Sequence, residues 1–169
     1  MTARLEARSR LEAHKRRNSA GGFSLIELTM TLAVGIILAA AAIPVVQSSI
    51  QYFRVRSAVS AVTGAIQSTR YRAIFDGCPY NISFDKSKNT FQVASESLSG
   101  GSCAATFSNV GTAVPFGSTA VALNQNVTLQ FKPSGYVQAT SGLTTFTLTY
   151  GSTTKTIAVS SYGNINVTP

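Results

Sequence analysis

At 169 residues the chain has room for one membrane helix and one modest folded domain. Its net charge of +8 does not by itself mark a nucleic-acid binder, because six of the fourteen cations and two of the six acids fall in residues 1–22. The single histidine, His14, lies in that segment too, so histidine catalysis and histidine metal ligation are excluded from everything downstream.

Residues 1–22 are polar and basic, with Arg4, Arg8, Arg10, Lys15, Arg16 and Arg17 against Glu6 and Glu12. Only Arg54 and Arg56 stand just beyond the apolar run that follows. This asymmetry puts the N-terminus in the cytoplasm and the chain from about residue 54 onward on the far side of the membrane. Between residues 28 and 53 there is no charge. A bilayer crossing takes about 20 apolar residues, and residues 23–46 are expected to make one as a helix. Its anomaly is Glu27. A carboxylate within a membrane helix costs about 2.5–3.5 kcal/mol on insertion scales and so points to a function.

Three readings compete for this stretch. A secretory signal peptide would have small residues such as Ala39 to Ala42 for cleavage, and a plain signal anchor would need only the apolar run. The run exceeds the roughly 7–15 residues of a signal h-region, and neither role requires an acid. In the third reading cleavage falls between Gly22 and Phe23, and the helix is kept with a new amine at its tip. Glu27 then neutralises the amine of a neighbouring copy, since two buried charges are tolerable only as a pair.

Gly22-Phe23-Ser24-Leu25-Ile26-Glu27-Leu28 resembles the class III signal of type IV pilins and type II secretion pseudopilins. Pro44 falls where many of those proteins have a proline. The resemblance implies cleavage after Gly22 and N-methylation of Phe23 by a prepilin peptidase/methyltransferase. It also implies that Glu27 registers subunits in a filament of pseudopilins or pilins at the inner membrane. Pro44 removes one helical hydrogen bond and should bend or loosen the helix near residues 40–44. Physics allows a merely tolerated kink; the resemblance favours a role in filament packing.

Residues 47–75 continue as an amphipathic helix. Ile50, Phe53, Ala58, Ala61, Val62, Ala65, Ile66, Ala73 and Ile74 recur mostly at three and four, a stripe expected to pack on a sheet. Asp76-Gly77-Cys78-Pro79 ends the helix. From residue 80 the period becomes two. Residues 80–84 and 90–94 read as a hairpin over Asp85-Lys86-Ser87-Lys88-Asn89, and residues 95–111 as a loop tied down by Cys103. Further strands are expected at 112–116, 119–123, 127–132, 135–139, 143–150 and 154–161, with a short strand or tail at 162–167. Cys78 and Cys103, both beyond the membrane helix, would form one disulfide in an oxidising periplasm. Their spacing is that of neither a zinc site nor a CxxC motif.

Leu129-Gln130-Phe131-Lys132-Pro133-Ser134-Gly135 and Thr156-Ile157-Ala158-Val159-Ser160-Ser161-Tyr162-Gly163, after the long helix, resemble the GspH/FimT group of minor pseudopilins and minor pilins. Members that bind DNA carry arginines after that last glycine. Here the positions are Asn164 and Asn166, which counts against DNA as a partner.

The acids beyond residue 22 are Glu27, Asp76, Asp85 and Glu96. No spacing among them suggests a catalytic pair. The hairpin could bring Asp85 near Glu96, but calcium usually takes 6–8 oxygens and two acids supply too few. No Gly-rich phosphate loop is present. Arg54 and Arg56 read as headgroup-level cations. Arg70, Arg72, Lys86 and Lys88 read as solvated faces in preference to an anion patch.

The expectation is therefore an α+β protein: a long N-terminal helix, membrane-spanning in its first half, packed on an antiparallel β-sheet domain in a pilin-like fold. Its parts are a leader 1–22, an assembly helix 23–46, an amphipathic continuation 47–75 and a periplasmic β-rich domain 76–169. The function implied is a structural minor pseudopilin of type II secretion, neither an enzyme nor a cofactor or metal protein. The alternatives are a type IV minor pilin engaged in pilus assembly or DNA uptake, and a plain anchored periplasmic domain.

Overall fold

A computed structural model describes residues 22–99, 102–117 and 120–169. Apart from Gly22, the expected leader lies outside the described residues. Among the described residues one helix, α1 (Leu25–Asp76), precedes nine strands: β1 (Tyr80–Asp85), β2 (Thr90–Ser99), β3 (Ser102–Pro115), β4 (Ala122–Leu123), β5 (Val127–Phe131), β6 (Val137–Ser141), β7 (Thr145–Tyr150), β8 (Thr153–Val159) and β9 (Ile165–Thr168). The Leu28 N–H donates to the Ser24 carbonyl at 3.1 Å, which makes Ser24 the cap residue. Glu27 sits in the first turn, where the partial positive charge of a helix start favours an acid. The helix runs through Pro44 and stops at Gly77, whose φ of +68° is left-handed, with Pro79 following.

The chain divides into two units, residues up to Val45 and residues from Val46 to Pro169. In the first, every described residue is exposed. In the second, α1 buries Val55, Ala58, Val62, Ile66, Thr69 and Ala73, spaced by three and four on one face. Ile50, Phe53 and Ile74 of the expected stripe are exposed instead, and Val55 and Thr69 join it. Apolar residues surround this helix on several sides, so periodicity alone could not choose the buried face. Thr69 is tolerated inside because its hydroxyl donates to the Ala65 carbonyl at 2.7 Å.

Two antiparallel sheets complete this unit, ordered β3-β2-β1-β5-β6 and β4-β7-β8-β9. The period-two pattern sets their inner faces. Tyr80, Ile82 and Phe84 on β1 and Val127, Leu129 and Phe131 on β5 are buried, as are Phe146, Leu148, Ile157 and Val159 on β7 and β8. With Ala58, Val62, Ile66 and Ala73 of α1 they form one core. The fold is thus α+β, a long apolar N-terminal helix with an antiparallel sheet domain.

One expectation fails clearly. Residues 95–111 are not a loop, because β2 continues to Ser99 and β3 pairs back along it from Ser102 to Pro115. None of the fourteen residues of β3 is buried. With no buried face there is no alternation to read, and β3 is held by backbone pairing to β2, to which the Ser108 hydroxyl adds a bond to the Ser95 carbonyl at 3.3 Å. The strand expected at 119–123 is only Ala122–Leu123 among the described residues.

The structure joins Cys78, buried just past α1, to Cys103 on β3, with Cα atoms 5.6 Å apart. The bridge spans 25 residues of sequence. In the chain-entropy account a loop of that size contributes about 3 kcal/mol. Replacing both cysteines by alanine should therefore lower the Tm of the full chain in detergent by about 10 °C, followed by circular dichroism. An unchanged Tm would mean that the ladder alone holds this hairpin.

Candidate functional site

The first candidate is the surface of the first unit. Phe23 is 81 % exposed, and Leu25, Ile26, Leu28, Met30, Leu32 and their successors to Val46 are more than half exposed. Soluble monomers rarely show contiguous apolar surface of this extent. By length and composition the helix qualifies as a membrane span. Its hydroxyls are already satisfied: Thr29 donates to the Ile26 carbonyl and Thr31 to the Leu28 carbonyl, each at 2.9 Å. Glu27 differs, since among the described residues none pairs with it. The apolar face thus presents one carboxylate, four residues along from Phe23.

Where the uncharged run ends, α1 is anchored. The Arg54 guanidinium donates to the Tyr150 hydroxyl at 3.1 Å and lies 5.3 Å from the ring centroid. The Gln51 side-chain oxygen accepts from the Ser152 N–H and hydroxyl at 3.4 and 3.3 Å. Gly151, with φ of +59°, stands between them; a Cβ there would lie 2.5 Å from that oxygen. Arg54 is therefore a structural clamp on the β7–β8 turn, more than a solvated headgroup-level cation.

The second candidate surrounds Arg70, half-buried on the same helix. Two turns of one construction reach it. In the first, the Lys132 N–H donates to the Tyr136 carbonyl at 2.9 Å and the Gly135 N–H to the Lys132 carbonyl at 2.8 Å. In the second, the Ser160 N–H donates to the Asn164 carbonyl at 2.9 Å and the Gly163 N–H to the Ser160 carbonyl at 2.8 Å. Both glycines are left-handed, at φ +79° and +77°. The Arg70 Nε–H donates to the Gly135 carbonyl at 3.3 Å. On the other side a Cβ at Gly163 would lie 2.6 Å from Arg70 Nε, so the guanidinium packs directly on that glycine.

Lys132 belongs to the Gly135 turn, with its ammonium 5.8 Å from the Tyr136 ring centroid, but Lys86 and Lys88 do not join Arg70. Gly135 follows Phe131, which pairs with Tyr80, whereas Lys86 and Lys88 follow Asp85 at the opposite end of β1. The Lys86 N–H donates to Asn126 there, at 2.8 Å. The length of β1, about 15–20 Å, thus separates these lysines from Arg70. Asp85 and Glu96 also lie at opposite ends, because Asp85 pairs with Thr90 while the Glu96 N–H donates to Pro79. The approach of these two acids that the hairpin allowed does not occur, in line with their reading as too few for a calcium site. Asp85 holds its own turn, accepting from the Ser87 hydroxyl and N–H and the Lys88 N–H; these bonds keep its carboxyl below the usual value. The Tyr80 hydroxyl donates to Asp76, and this bond, with burial, pushes the phenol up.

A family model described as type II transport protein GspH matches residues 58–163. The match begins at the first buried alanine of α1 and ends at the second glycine against Arg70. No curated protein and no solved structure matches the chain.

Proposed function

The chain belongs to the GspH family of type II transport proteins, and from that membership we propose that it is a structural minor pseudopilin assembled into a periplasmic pseudopilus. The family is one of structural pseudopilins that associate with one another, and with the exposed apolar helix it fits a single-pass membrane protein. In this reading the leader 1–22 is removed between Gly22 and Phe23, and Phe23 is N-methylated. Residues 23–46 cross the inner membrane from a cytoplasmic N-terminus and pack against other subunits. Residues 47–75 carry the helix into the periplasmic domain 76–169, and Pro44 lets the helix adapt to its neighbours.

The family match over residues 58–163 carries this proposal. Glu27 supplies its mechanism. In lipid its carboxylate needs a counter-charge, and the amine of a neighbour's Phe23 is one. The pair is neutral only when subunits are in register, so desolvation penalises misplaced neighbours.

The test is intact mass of the chain recovered from membranes. The expected species begins at Phe23 and is heavier than the bare chain by one methyl group. A species beginning near residue 42 would mean a signal peptide, and an uncleaved chain a plain anchor; either removes the role given to Glu27.

A further inference from the structure

We propose that Arg70 is the anchor of a receptor pocket for a carboxylate side chain of a neighbouring protein subunit; this rests on the reading that the chain packs among other pseudopilins. The pocket has a volume of about 220 Å³ and is lined by Gln67, Arg70, Tyr71, Gly163, Asn164 and Ile165. Drug-sized ligands occupy roughly 300–1,000 Å³, so this pocket suits a single side chain.

The chemistry of the lining selects the occupant. An arginine has five N–H donors in a planar fork. The bond from Nε to Gly135 and the packing on Gly163 fix the plane of that fork while using one donor. Four donors are left to two terminal nitrogens, the geometry that binds carboxylates in a bidentate manner. No carboxylate is among the lining residues, so the cation is not neutralised within the pocket. The amides of Gln67 and Asn164, both exposed, add neutral donors at its lip. Tyr71 is 69 % exposed, and Tyr162, on the Gly163 turn, is 74 % exposed. Arginine with exposed tyrosine is the composition of energetic centres in protein interfaces.

A protein carboxylate fits better than a phosphate backbone. Nucleic-acid sites track the strand with a run of cations. Here Lys132, on the Gly135 turn, lies 5.8 Å from the Tyr136 ring centroid, Lys86 and Lys88 stand at the far end of β1, and the residues after Gly163 are Asn164, Ile165 and Asn166, so no run of cations forms.

The experiment uses the full chain, ¹⁵N-labelled at arginine, in uncharged detergent micelles. The probes are blocked Ala-Glu-Ala and Ala-Gln-Ala tripeptides and an oligothymidylate. The glutamate peptide should move the Arg70 Nε–H resonance saturably, and the glutamine peptide should not. Followed in uniformly ¹⁵N-labelled chain through the Gly163 amide, which lies against residue 70, Arg70→Gln should weaken binding about tenfold or more, and Asn164→Ala, at an exposed site, should weaken it without loss of fold. Equal response to both peptides, or no response, overturns the proposal; tighter binding of the oligothymidylate overturns it in favour of nucleic acid. Peptide binding needs no filament, so a chain that binds the peptide but is never processed retains this pocket and loses the pseudopilin reading.

Discussion

Glu27→Gln is expected to abolish incorporation into filaments while leaving the chain in the membrane fraction. Two roles for this residue separate in that variant. As an acid in the first turn of α1, three residues after the cap Ser24, Glu27 is also placed to stabilise the helix start. Glutamine keeps the hydrogen-bonding capacity of a capping residue and removes only the charge. If capping were the role, Glu27→Gln would assemble almost normally and Glu27→Ala would be impaired, by about 1 kcal/mol of helix stability. If neutralising a neighbour's amine is the role, both variants lose a charge pair in lipid, and breaking a buried pair costs about 3–5 kcal/mol. That energy recurs at every subunit contact, so the loss should be close to complete. Cross-linking in membranes, with total chain in the membrane fraction as the control, measures it. Normal cross-linked ladders from Glu27→Gln would sink the charge-pairing mechanism. Membrane insertion should not suffer in either variant, since removing a carboxylate makes the apolar run easier to insert.

The sequence exposes those parts of this protein in which one local rule acts alone. The end of α1 is legible because Gly77 and Pro79 leave a helix no continuation. The strand β1 is legible because Tyr80, Ile82 and Phe84 face one core. The β2–β3 hairpin is not, since no residue of β3 is fully buried, only Val110 there packs partly on the core, and its order comes mainly from pairing and from the Cys78–Cys103 bridge. The Arg70 site was half legible. Lys132-Pro133-Ser134-Gly135 reads as a turn between two strands, whereas Ser160-Ser161-Tyr162-Gly163 straddles an expected strand and tail, and only the shared final glycine signals that the two are built alike. Which helical residue they close upon depends on the register of β5 and β8 against α1, and no spacing in the chain encodes it. In the sequence Arg70 therefore reads as one of several solvated cations; in the fold both glycines lie against it.

Phe84→Ala is expected to destabilise the folded unit by about 3–5 kcal/mol, a large share of the roughly 5–15 kcal/mol that holds such domains together. Phe84 is buried on β1, and its ring centroid lies 6.1 Å from Phe91, 6.3 Å from Phe116 and 5.6 Å from Phe146. Phe91 belongs to the same sheet, but Phe146 is on β7 of the other. Truncation removes the buried ring and these aromatic contacts, each worth about 0.5–1.5 kcal/mol beyond area. The cavity sits where the sheets share their core, so close packing leaves neither sheet able to fill it alone. A single transition at a much lower Tm is expected, with β1 and β7 lost together. Phe75→Ala is the control; that ring is 90 % exposed, and its loss should cost within about 0.5 kcal/mol. Equal melting of the two variants would mean that Phe84 does not join the sheets. Two separate transitions for Phe84→Ala would mean that the sheets fold independently. In that case the Gly163 turn, which follows β8 of the second sheet, could leave Arg70 while Gly135 of the first stayed bound.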